Sequence, residues 1–174
     1  MKTLIACSFA LFVFSTCGGG SGGGSDSGAS SVPPQPVLTV NGTISAAGRN
    51  VVPAYGVAGL NQSGTPGVIL SDAPMGCAAL TAEYTSSHMP AAGTYVSVAV
   101  PAFDIGVAKT SFVYFMVIPQ HGTDISGGGS NTGEVEVLDA TDATVTIRVN
   151  YHATLSDGDY EVSGEFGATR CPSK

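Results

Sequence analysis

The chain has 174 residues, with 13 acidic against 6 basic side chains, a net charge of -7, 43% hydrophobic residues and only 11% charged ones. So low a charge fraction excludes a disordered polyelectrolyte, and the acidic balance excludes the basic footprint that sequence-independent binding to nucleic acid needs. The length suits one folded domain.

Lys2 gives a short positive start, and an apolar run over residues 4–14 follows that stops at Ser15, Thr16 and Cys17. A membrane-spanning helix needs about 20 apolar residues, so this run has the length of a signal-peptide core. Cys17 follows at once and opens a tract of glycine and serine that lasts to Ser31. A basic start, a short apolar core, a cysteine at its end and a flexible tract together resemble the export segment of a bacterial lipoprotein. The resemblance implies cleavage before Cys17, lipidation of Cys17 and attachment to a membrane, where several acyl chains hold far better than one. In that family Gly18, rather than Asp, after the cysteine is compatible with the outer membrane, which is favoured here over the inner one. Phe14 stands where the family prefers Leu, and Thr16 where it prefers Gly, Ala or Ser. Ordinary secretion is the alternative.

The organisation expected is a signal peptide over 1–16, a tether over 17–36 and a folded domain over 37–174. The Gly/Ser part of the tether is a flexible coil, and Pro33, Pro34 and Pro36 stiffen its end. Under the lipoprotein reading Cys7 leaves with the signal peptide and Cys17 carries lipid. Cys77 and Cys171 then remain, and in an exported domain a disulfide between them is the default.

From Val37 onward, apolar runs rich in Val, Ile, Thr, Tyr and Phe alternate with Gly, Pro, Asn and Asp clusters. This pattern predicts an all-β domain with strands at 37–45, 50–58, 67–71, 94–100, 110–118, 133–139, 143–155 and 159–170, and a helical turn at 77–84. Strand 110–118 is apolar on both faces, as a central strand with little solvent exposure would be. The expected architecture is an antiparallel β-sandwich of about eight strands.

In 144–155 the residues Val145, Ile147, Val149, Tyr151, Ala153 and Leu155 alternate with polar ones, giving one core face and one wet face. A two-residue turn at Asp157-Gly158 would set Leu155 opposite Tyr160, Ala153 opposite Val162, Tyr151 opposite Gly164 and Thr154 opposite Glu161. A three-residue turn at Ala140, Thr141 and Asp142 would set Val135 opposite Ile147 and Glu134 opposite Arg148. The last three strands therefore read as an antiparallel meander, its register held by the cost of burying polar groups.

The search for chemistry is less productive. Gly19, Ser21 and Gly23 satisfy G-x-S-x-G, and Gly18, Gly20 and Gly23 satisfy G-x-G-x-x-G, but neither motif follows a strand or opens a helix. His88, His121 and His152 lack zinc spacings, and His152 falls on the wet face of its strand. Asp157, Asp159 and Glu161 alone do not complete a calcium shell, and the many carboxylates from Glu134 to Glu165 single out no catalytic pair. A carbohydrate platform has no tryptophan to use, and Tyr55, Tyr84 and Tyr95 read first as core or interface filler. Residues 121–133, with Gly127, Gly128 and Gly129, read as the longest loop of the domain.

No catalytic residue, metal site or cofactor is expected. The expected role is a non-enzymatic envelope component, structural or protein-binding, with a small-ligand or glycan-binding module as the alternative. An exposed apolar patch would favour the first, and a concave site with convergent polar groups and an exposed tyrosine the second.

Overall fold

The computed structural model describes residues 39–81, 91–118 and 126–172. The expectations for the signal peptide, Cys17 and the tether, and for Tyr84, His88 and His121, lie outside the described residues. Among the described residues nine strands follow one another: β1 (Thr39–Ala46), β2 (Arg49–Val51), β3 (Tyr55–Leu60), β4 (Pro66–Ser71), β5 (Gly93–Ala99), β6 (Gly106–Ile118), β7 (Ser126–Ala140), β8 (Thr144–Leu155) and β9 (Gly158–Arg170). A 3-10 helix, Cys77–Leu80, lies between β4 and β5, within the expected helical turn.

The domain is all-β, but its sheet closes into a seven-stranded barrel instead of splitting into a sandwich. Strands β3 to β9 form a continuous antiparallel meander, and β9 returns to β3 through Val57 opposite Thr169 and Ala58 opposite Arg170. Seven alternating strands leave the first and last pointing the same way, so this closing pair is parallel. Alternation alone does not separate the two architectures, because a sandwich and a barrel both give each strand one apolar and one wet face. The length of β9 decides. Its 13 residues pair with β8 along one edge, and along the other with β1 first and β3 last.

The expected strand 50–58 is two strands, β2 and β3. Pro53 separates them, since proline cannot donate to a ladder. Residues 126–132, expected in a loop, are the first half of β7. There the small glycines let β7 lie close against β6: a Cβ on Gly129 would stand 2.9 Å from Tyr114 Cα.

The C-terminal meander is present, with both registers two residues away from those expected. Leu155 faces Gly158, Ala153 faces Tyr160, Tyr151 faces Val162 and Thr154 faces Asp159, because the turn consists of Ser156 and Asp157. Gly164 is opposite Val149, and on its other edge it meets Gly42 of β1 instead of Tyr151. Between β7 and β8, Val135 faces Val149 and Glu136 faces Arg148, with a bulge between Val137 and Asp139. A shift of two preserves the side each residue faces, which is why the core face was legible although its partners were not.

The interior is filled by side chains from every barrel strand. Phe115, Tyr151, Tyr160 and Phe166 are buried at its centre, with the Phe115 ring 4.8 Å from that of Tyr160 and 5.9 Å from that of Tyr151. The Tyr160 hydroxyl donates to Asp157 Oδ2 at 2.6 Å. Burial, and then this carboxylate, push its pKa up to about 12.

A second apolar cluster lies on the outside of the barrel. Val57, Ile69, Tyr95, Met116 and Ile118 point outward, and Ala73, Met75 and Leu80 of the β4–β5 connection cover them. The Cys77–Cys171 disulfide ties that connection to the end of the barrel.

Candidate binding groove on the outer face of the barrel

On β4, β5 and β6 the inward residues include Val68 and Leu70, Val96 and Val98, and Val113 and Phe115, all essentially inaccessible. Period-two alternation therefore sends Gly67, Ile69, Ser97, Ala99, Phe112, Tyr114 and Met116 outward. The register aligns Ile69 with Ser97 and Ser97 with Tyr114, one outward row across three strands. Gly67 stands opposite Ala99. Small residues on β4 and β5 thus sit beside large ones on β6, and a groove of about 320 Å³ results, with Leu80 and Ala79 also on its border.

The groove's most exposed large side chains are Phe112, 48% exposed, and Tyr114, 38% exposed. Two residues apart on one strand, their rings stack with centroids 6.3 Å apart and planes 15° from parallel. Among the described residues no carboxylate, imidazole, guanidinium or amine belongs to the groove lining, which offers apolar surface with hydroxyls at Ser97 and Tyr114. Asn61, at its end, uses its side-chain oxygen within the β3–β4 turn, where it accepts from the Ser63 and Thr65 amides at 2.9 Å each. The arrangement can bind an apolar or aromatic group.

The structure also places the residues singled out from sequence. Tyr95 is buried, and its hydroxyl donates to the Ala91 carbonyl at 2.8 Å. Tyr55 is half-buried against the outer cluster. Neither offers an exposed ring. Phe112 and Tyr114 do, and the expectation of little exposure for strand 110–118 is corrected at these two positions. A signal was available: a closed barrel has one interior, so a strand apolar on both faces leaves one apolar face outside. Met116 and Ile118 on that face are covered, and Phe112 and Tyr114 are not.

His152 is exposed on β8, opposite Glu161. Asp157 holds Tyr160, and Asp159 accepts from Thr154 Oγ1 at 2.7 Å. Among the described residues no group of three His, Cys, Asp or Glu side chains could hold a metal ion. On the wet face of the meander Arg148 reaches Glu136 and Glu165 at 2.6 Å each, and its Nε donates to Glu165 as well. The Glu165 hydrogen bond keeps the Arg148 pKa above its ordinary value. This is a solvated ion-pair row and lies outside the groove.

No protein-family model matches the chain, and no curated protein or solved structure matches it either.

Proposed function

We propose that the protein is a lipid-anchored component of the bacterial cell envelope, more at the outer membrane than the inner, that binds a protein partner without catalysis. The observation that carries the binding role is the exposed, stacked pair Phe112–Tyr114 on a groove whose described lining residues carry no charge. Aromatic side chains give large contact area at low entropic cost and concentrate the binding energy of protein interfaces. The anchor rests on the sequence alone: the apolar run over 4–14, Cys17 at its end, and the glycine and serine after it.

A small-ligand or glycan module is the second reading. It is favoured by the concave shape and the exposed Tyr114, and disfavoured by the few polar groups available to orient a sugar.

The test of the anchor is metabolic labelling with a palmitate analogue in a bacterial host, with membrane fractionation. Label on the wild type and none on Cys17→Ser supports it; an unlabelled, soluble wild-type product overturns it. For the groove, Phe112→Ala with Tyr114→Ala should abolish retention of the partner on the anchored protein. Retention unchanged by the double substitution would remove the groove from the account.

A further inference from the structure

The Cys77–Cys171 disulfide stands between the outer cluster, against which Cys171 packs, and a second concavity. That concavity has a volume of about 570 Å³, and both cysteines line it together with Leu60, Gln62 and Thr81. Cys77 is exposed and Cys171 half-buried. Leu80 lines both the concavity and the groove, so one side chain of the disulfide-tied connection forms part of the boundary of each.

The seat for that connection is built on β3. A Cβ on Gly59 would lie 2.8 Å from Leu80 Cδ1 and 3.3 Å from Cys171 Cβ, so the bare backbone there makes room for both residues. Cys171 is itself fixed, its amide donating to the Ala58 carbonyl at 2.7 Å. Residues 71–73 are fixed as well: the Ala73 amide donates to Ser71 Oγ, and Asp72 Oδ1 accepts from the Thr94 amide of β5 at 2.7 Å.

The helix bonds Ala79 N–H to Gly76 O and Thr81 N–H to Ala78 O close within the segment itself. Met75 and Leu80 bury apolar surface on the barrel, and the disulfide supplies the covalent tie. A four-residue 3-10 helix has no cooperative stability of its own.

We propose that the Cys77–Cys171 disulfide is a redox latch on the groove: a dithiol admitted to the 570 Å³ concavity reduces it and frees residues 74–81, withdrawing Leu80 from the groove while the barrel stays closed. A thiolate of the dithiol attacks the exposed Cys77 sulfur, the S–S bond breaks, and Cys171 leaves as a thiolate that takes a proton from water. The second thiol of the reductant then displaces Cys77 and closes the reductant's own disulfide. Two electrons pass to the protein, which ends with two thiols. Barrel closure does not depend on the bond, because β3 and β9 meet through backbone pairing at Val57–Thr169 and Ala58–Arg170.

The test is amide hydrogen exchange on the whole mature protein, oxidised and after dithiothreitol without denaturant, with alkylation of Cys77 and Cys171 counted in the same samples. The result expected is alkylation of both residues and exchange faster by about tenfold or more at residues 76–81, with the amides of β6, β8 and β9 still protected. Cys77→Ser with Cys171→Ser should show the same local pattern without reductant. The proposal is overturned if both thiols appear and residues 76–81 stay protected. It is equally overturned if the thiols appear only together with exchange throughout the barrel, or do not appear at all short of denaturation. None of these readings involves a partner, so they stand apart from any failure of the groove to bind one.

Discussion

The inner and outer faces of β4, β5 and β6 carry comparable apolar side chains but are covered by different means. Inside, Val68, Val96, Val113 and Phe115 are enclosed because the sheet closes on itself, and each strand contributes to covering the others. Outside, Ile69, Tyr95, Met116 and Ile118 pack with Ala73, Met75 and Leu80 of one connection that a disulfide ties down. The first kind of cover is cooperative and is lost only when the barrel opens. The second is local, and it stops short of Phe112 and Tyr114. The difference shows how one strand can serve stability on one side and recognition on the other.

The comparison breaks hardest at adjacent residues of β6. Phe115→Ala should cost about 3–5 kcal/mol in denaturant unfolding, because it empties the middle of a closed interior. Met116→Ala, one residue on, should cost about 2 kcal/mol, since the loose outer cover can settle into part of the space. Equal losses would show that the two clusters are packed alike.

Removing both cysteines of the disulfide should lower stability by about 2–4 kcal/mol, given the sequence separation of 94 residues that the bond spans. Gly59→Val should cost about 1–3 kcal/mol by pressing on Leu80 and Cys171. Combined with Leu80→Ala, the same substitution should cost less than the sum of the two single changes, and a strictly additive double-mutant cycle would remove Leu80 from that seat.

Alkaline pH probes the inner cluster alone. The native Tyr160 pKa is raised above its ordinary value of 10.0 to about 12, by burial first and then by Asp157. The neutral hydroxyl is thus favoured by folding. Its contribution is complete below pH 10 and is lost as the pH rises through about 12. Stability measured over that interval should fall in the wild type and fall less steeply in Tyr160→Phe. The smallest effect on stability is expected at the groove: Phe112→Ala and Tyr114→Ala should each stay within about 0.5 kcal/mol of wild type, being exposed, while removing the binding surface.

Much of this was legible in the residues. The alternation in β8 gave the core face, and the Val145, Ile147, Val149 and Tyr151 side chains are all buried. The cysteine count pointed to the observed bond between Cys77 and Cys171. What the residues hid were relations between strands. Closure depends on β9 outrunning β1 to reach β3, and no local pattern records that. The two-residue shift at Leu155–Gly158 is silent to alternation, because the same side chains face inward in either register. Gly127, Gly128 and Gly129 have loop composition, yet they lie in β7 because β6 lies so close beside them. The groove was hidden for a further reason: the apolar outer face of β6 reads as core until the barrel is known to have its interior on the other side.

The claim that the outer face of β6 is the recognition surface is tested most directly by site-specific photo-crosslinking in intact cells. A photoreactive residue is placed at Phe112, and a control at Thr154, exposed on β8 outside the groove. The account predicts one discrete adduct from position 112, none from position 154, and loss of the adduct when Tyr114 is also replaced by Ala. Equal adducts from both positions, or an adduct from position 154 alone, would contradict it.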